Sequence, residues 1–147
     1  MLFRSRELES GSLDDYRYTS VREHLLPAVR AAVDGMLAAQ QLDAIVYPTS
    51  SRRPGLIAET GAAEPTRLLA ASATNIANLT GFPDLIVPAG FTGDNLPVGL
   101  SFFGPAFSEP KLLALGYSFE QATHARRLPV HTPPRPGETI SDGGSTR

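Results

Sequence analysis

The stretch Asp84-Leu-Ile-Val-Pro-Ala-Gly-Phe-Thr-Gly-Asp-Asn-Leu-Pro-Val-Gly-Leu-Ser-Phe-Phe103 decides the fold. Two runs of strand composition, Asp84 to Val87 and Val98 to Phe103, flank Gly93-Asp94-Asn95, a triplet in which glycine tolerates the positive φ of a tight turn. In the second run Val98, Leu100 and Phe102 alternate with Gly99, Ser101 and Phe103, which is the two-residue period of a pleated strand. The spacing predicts an antiparallel hairpin over residues 84 to 104, turning near Gly93 to Asn95 with glycine supplying the positive φ.

Outward from the hairpin, Ala44-Ile45-Val46-Tyr47 is short, β-prone and ended by Pro48, as a buried strand would be. Ile45, Val46, Leu85, Ile86 and Val87 form near-continuous apolar runs, the composition of strands covered on both faces. Three helices are predicted around them. Ser20-Val-Arg-Glu23 fits a capping box, followed by Leu25, Leu26, Val29, Val33, Met36 and Leu37 at three- and four-residue steps, with Pro27 kinking the helix or marking its first turn. Pro65 opens a second helix through Leu68, Leu69, Ala73, Ile76 and Ala77, which Gly81 is placed to stop. Ser108 caps a third, with Leu112, Leu115, Phe119 and Ala122 on one stripe.

The remaining segments lack periodicity. Residues 1–18 suit a solvated lead-in, Thr49 to Glu64 a long surface loop, and the Pro/Gly-rich run 129–147 a flexible tail whose apolar content does not offset its ordering entropy. One domain is expected over residues 19–128 of the 147, and no internal repeat is present.

Composition narrows the chemistry. A formal charge of -2 with scattered Arg gives no basic stripe for a row of phosphates, so no nucleic-acid partner is expected. No run is long enough to span a bilayer, and Met1-Leu-Phe-Arg-Ser-Arg-Glu turns polar at once, so the chain as given is expected in the cytoplasm and off the membrane. With no Cys, thiolate catalysis and Cys-ligated zinc are excluded within the chain. His24, His124 and His131 are too far apart for a helical metal pair, and no metal site is predicted. Ser108-Glu-Pro-Lys111 matches the S-x-x-K spacing of a Ser nucleophile one helical turn from its Lys base, and Lys111 is the chain's sole Lys. No S-D-N or K-T-G accompanies it, and Ser108 is already assigned as a helix cap. Asn78-Leu79-Thr80 is formally a sequon but suits a helix end, and Arg52-Arg53 a solvated loop pair. Read from the residues alone, the chain is an α/β scaffold without a reaction centre.

Taken in order, Leu42-Asp-Ala-Ile-Val-Tyr-Pro-Thr49, Asn78-Leu-Thr-Gly-Phe-Pro83, Val87-Pro-Ala-Gly-Phe91, Leu96-Pro-Val-Gly-Leu100 and Phe119-Glu-Gln-Ala122 resemble the C-terminal portion of amidase-signature enzymes, the Ser/cis-Ser/Lys amidases. The resemblance covers about residues 20 to 130. It implies an α/β fold, the C-terminal part of the amidase-signature fold, with a mixed sheet that contains the antiparallel hairpin and is flanked by helices. It also implies that Pro48, Thr49, Asn78, Gly81 and Pro83 line the wall of the substrate cleft in a complete enzyme.

In that family a Lys activates a Ser through a second Ser, and the attacking Ser forms an acyl-enzyme without metal or other cofactor. Those residues belong to an upstream Gly/Ser-rich stretch that is not found here, so no catalytic position carries over. Two departures bear on specificity. Family members often place Gln where Ser101 stands, and glutamine-using tRNA amidotransferase subunits have an acidic residue where Ala71 stands. The implied function is a segment of a hydrolase cleaving carboxamide C–N bonds, partnered by the upstream catalytic portion in cis or as a separate chain. The alternative is a non-catalytic interaction or structural protein that kept the sheet and lost the active site.

Overall fold

A computed structural model describes residues 11–50, 73–128, 136 and 137. Arg52-Arg53, most of the loop expected after Thr49, the opening of the second helix at Pro65 and nearly all of the expected tail lie outside the described residues. The elements run α1 (Tyr16–Ser20), a π-helical segment (Val21–Leu25), α2 (Leu26–Ala39), β1 (Ile45–Pro48), α3 (Asn75–Thr80), β2 (Asp84–Phe91), β3 (Pro97–Phe103) and α4 (Glu109–Thr123).

The hairpin forms as expected. β2 and β3 pair antiparallel from Asp84 opposite Phe103 to Phe91 opposite Pro97, with a bulge between Pro88 and Gly90. The turn is closed by the Thr92 amide donating to the Leu96 carbonyl and the Asn95 amide to that of Thr92. Here the expectation needs correction: the positive φ, 60°, belongs to Asn95 and not to Gly93. Asn accepts the left-handed region at modest cost, so a turn triplet holding both residues does not reveal which one takes it. β1 adds on the other side of β3, antiparallel, Ile45 opposite Phe103 and Pro48 opposite Leu100, so the order is β1-β3-β2.

β3 is therefore central, and its consecutive Phe102 and Phe103 point to opposite faces. Phe103, 1% exposed, joins Phe82, Val33 and Leu37 from the α3 exit and α2, with the two rings stacked at 6.2 Å. Phe102 joins Val87 and Leu112, and meets Phe119 edge-on at 5.9 Å. The cover is incomplete: Val46 and Ile86 keep 50% and 54% of their surface exposed.

The helices correct three expectations. The first begins at Tyr16, capped by Asp15, whose carboxylate accepts from the Arg17 amide at 2.8 Å. Ser20 is already helical and makes no cap bond, while Glu23 pairs with Arg22, so the capping box does not form. Pro27 sits in the first turn of α2 directly after the π segment. A proline lacks the N–H that would bond four residues back, and its ring crowds that carbonyl; a π turn relieves both without ending the helix. On α4 the buried line is Leu112, Gly116 and Phe119, whereas Leu115 is 37% exposed. Apolar periodicity favours Leu115 because glycine has no side chain to signal burial.

Gly116 marks where α4 comes closest to the sheet. A Cβ there would lie 2.6 Å from Leu85 Cδ2 and 3.2 Å from Val87 Cγ1, while one at Gly35 would meet nothing within 4 Å. Gly116→Val is expected to cost about 1–3 kcal/mol through overpacking. Gly35→Ala, in the exposed interior of α2, is expected to stabilise by about 0.5–1 kcal/mol. Urea unfolding followed by circular dichroism reads both, and an unchanged midpoint for Gly116→Val would show that the glycine does not set the spacing.

Candidate functional site

On the Phe103 face of the sheet, beyond the phenylalanine, the side chains turn polar. Tyr47 and Thr49 from β1 and its end, Ser101 from β3 and Asp84 from β2 share this face by register. The Thr49 and Ser101 hydroxyls are 2.9 Å apart, and the Thr49 amide donates to the Gly99 carbonyl at 2.9 Å. The Tyr47 phenol reaches past the central strand and donates to Asp84 Oδ2 at 2.6 Å. Ser101 is fully buried, and Asp84 Oδ1 is buried without a hydrogen-bond partner. Burial first, then the Asp84 carboxylate, pushes the Tyr47 phenol from 10.0 up to about 12.

Gly99 is what lets the strands approach beside this group. A Cβ there would come within 3.1 Å of both Ile86 Cγ2 and Thr49 Oγ1. The cluster therefore consists of two hydroxyls, a phenol and a carboxylate with one free acceptor. It can hold and orient a donor group, but it brings no amine or imidazole to any hydroxyl.

The second set of cleft candidates sits at the α3 exit. Gly81 closes α3 in the left-handed conformation, φ 68°, its amide donating to the Ala77 carbonyl, as expected of a helix stop. Thr80, 2% exposed, donates its hydroxyl to the Ile76 carbonyl at 2.7 Å and accepts from the Phe82 amide. Arg30 of α2 donates to the Thr80 carbonyl at 2.6 Å, so the exit is held from outside as well. Asn78 is exposed on α3, and the Pro83 carbonyl accepts from the Gly104 amide, extending the β2–β3 ladder. Pro48 and Thr49 thus end β1, and Asn78, Gly81 and Pro83 surround the entry to β2. Tyr47, Ile76, Ala77 and Phe82 pack into one cluster between them.

The pair at S-x-x-K spacing is not brought together. The Lys111 ammonium donates to Asp43 Oδ1, and both groups are more than half exposed. Ser108 stands at the start of α4 but makes no side-chain cap bond, contrary to expectation; its Oγ is buried without a partner against Gly104. Among the described residues no group of three His, Asp or Glu is placed to hold a metal ion, and no helix is long and apolar enough to cross a membrane. The Tyr47–Asp84 bond escaped sequence reasoning because its ends lie 37 residues apart and both fall in strands. Its one local trace is a carboxylate opening the apolar run Leu85-Ile-Val87.

This fold and this set of sheet edges are those of an amidase domain. The profile of the Amidase family matches residues 2–113, and the chain belongs to that family. It is 39% identical over 99 residues to a glutamyl-tRNA(Gln) amidotransferase subunit from Desulforudis audaxviator (strain MP104C), covering 65% of this chain and 20% of that protein. To the indoleacetamide hydrolase of Agrobacterium vitis it is 28% identical over 129 residues, 84% of this chain and 28% of the relative. Among solved structures, native peptide amidase from Stenotrophomonas maltophilia aligns with a TM-score of 0.62 at 36% identity, over 80% of this chain and 22% of that one. The chain thus spans between a fifth and little more than a quarter of the length of these relatives.

Removing the phenol tests the polar cluster. Tyr47→Phe leaves Asp84 with no partner from this bond, an expected cost of about 1–3 kcal/mol, much of which Asp84→Ala on the same background should return. Because the folded-state value lies above the unfolded 10.0, the neutral phenol's stabilisation is complete below pH 10 and is lost as the pH rises towards about 12. Absorbance titration of phenolate formation should therefore show a late component near 12 that Tyr47→Phe abolishes. Its persistence in that variant would overturn the assignment.

Proposed function

We propose that this chain is the C-terminal part of an amidase-family hydrolase that cleaves a carboxamide to acid and amine. Its attacking Ser, activating residues and oxyanion donors are supplied by a portion outside this chain, in cis or as a separate chain. The observation that carries the reading is the fate of the sole lysine: the Lys111 ammonium is held by Asp43 at the surface and not paired with the Ser108 hydroxyl, while the chain covers 20% of one relative and 28% of another. A Ser/Lys mechanism needs a lysine within hydrogen-bond reach of its serine. Pro48, Thr49, Asn78, Gly81 and Pro83 then contribute a wall of the substrate cleft, supported by their position at the end of β1 and the entry to β2. Ser101, fully buried and paired with the Thr49 hydroxyl, stands where other members often use glutamine, and it supports the Thr49 end of the cleft wall from beneath rather than meeting the substrate.

The chain alone is expected to hydrolyse no carboxamide or ester above background, because positioning and oxyanion stabilisation supply most of the rate and neither is assembled here. Amide turnover is to be assayed on the purified chain and on Ser108→Ala. Activity that disappears in a well-folded Ser108→Ala would overturn the reading and make Ser108 the nucleophile. Inactivity of the chain even when joined to an amidase catalytic portion would favour the non-catalytic alternative.

A further inference from the structure

The long N-terminal helix extends past the core it serves. α2 buries Val33 and Leu37 against Phe82 and Phe103, but residues 16–25 pack on turns of their own helix and make no extended contact with any strand or other helix among the described residues. The arm is nevertheless not polar all round: Tyr18, Val21 and Leu25 expose 44%, 43% and 54% of their surface. The π segment is what sets them in line. One π turn adds about one residue relative to an α-helix, which rotates the side-chain pattern before it by about 100°. Counted back from Val33 at about 100° per residue through an unbroken α-helix, the buried line would run by Leu26 to Arg22, leaving Val21 and Leu25 off it by about 120° and 80°. With the extra residue Val21 and Leu25 swing onto that line, Tyr18 lies close beside it, and Arg22 and Glu23 turn away. The Arg22 guanidinium lies 5.6 Å from the centre of the Tyr18 ring, as side chains four residues apart on a helix can. The arm thus carries the apolar face of α2 beyond the core that the described residues build.

We propose that the strip of Tyr18, Val21 and Leu25 is the docking surface for the rest of the amidase domain, which rests on the reading of the chain as part of a larger hydrolase. The occupant follows from the match. The family profile begins at residue 2, so the arm lies within the amidase domain, and the chain covers only 20% and 28% of its relatives. An apolar strip that belongs to that domain yet meets no strand or other helix among the described residues is suited to the part of the domain that this chain does not contain. Charge supports a protein partner: Asp14, Asp15, Arg17, Arg22 and Glu23 mix signs along the arm, with no basic stripe for an anionic surface.

The test co-expresses the full chain with the portion of Stenotrophomonas maltophilia peptide amidase that the chain does not match, and follows co-purification and amide hydrogen exchange. The expected result is a complex in which exchange over residues 16–25 slows relative to the free chain. In the double variant Val21→Asp/Leu25→Asp association should fall at least tenfold with the circular dichroism of the free chain unchanged, while Asp34→Lys, at an exposed position of α2 outside the strip, leaves it intact. A complex with no slowing at 16–25, or one indifferent to the double variant, overturns the docking strip and leaves the proposed function standing. A homodimer of the free chain that the double variant abolishes assigns the strip to a second copy and overturns it. Absence of any association removes both the strip and the reading beneath it.

Discussion

Both buried clusters and the polar group depend on the central position of β3. A strand with neighbours on both sides projects successive side chains to opposite faces, so the adjacent Phe102 and Phe103 each seed a separate cluster. A register slip of one residue would exchange them between the two faces and disrupt both clusters. The connection out of β3 is equally constrained. A Cβ at Gly104 would lie within 3.0 Å of Leu112 Cδ2 and closer still to the Ser108 hydroxyl, so α4 can fold back over Phe102 only because that residue is glycine. The Gly104 amide closes the ladder on the Pro83 carbonyl, which ties the start of α4 to the exit of α3.

The same register assembles the polar group. Tyr47, Ser101 and Asp84 lie on one face because three strands stand side by side, and the phenol spans the middle strand to reach the carboxylate. One carboxylate oxygen is satisfied and the other is buried without a donor, a state whose cost in an isolated domain is of the order of 1–3 kcal/mol. Half-covered Val46 and Ile86 on the sheet and Leu25 on the helix carry the same physical message.

Family membership and chemistry come apart here. The chain belongs to the amidase family by its profile match, yet the ammonium of its sole lysine is spent on a surface ion pair with Asp43. A fold supplies positions and a site supplies reaction. What this segment supplies is a rigid arrangement of backbone turns and small hydroxyls at the end of β1 and the entry to β2, where close approach depends on Gly99 and on the left-handed Gly81.

The sequence by itself determined what is local. Alternation over Val98 to Phe103, the strand ended by Pro48 and the helix stopped at Gly81 all stand in the structure, because each is imposed by backbone sterics within a few residues. The resemblance of ordered turns and strand ends was legible for the same reason. What local patterning missed is a set of choices between near-equal local options. Asn95 rather than Gly93 takes the positive φ and Asp15 rather than Ser20 caps the helix, while Pro27 takes one of its two expected places, the first turn of α2. Only the tertiary structure decided the rest: Gly116 as the contact on α4, the Tyr47–Asp84 bond across β3, and the separation of Ser108 from Lys111. These depend on which surfaces meet across tens of residues, and no period within one element encodes the packing of another against it.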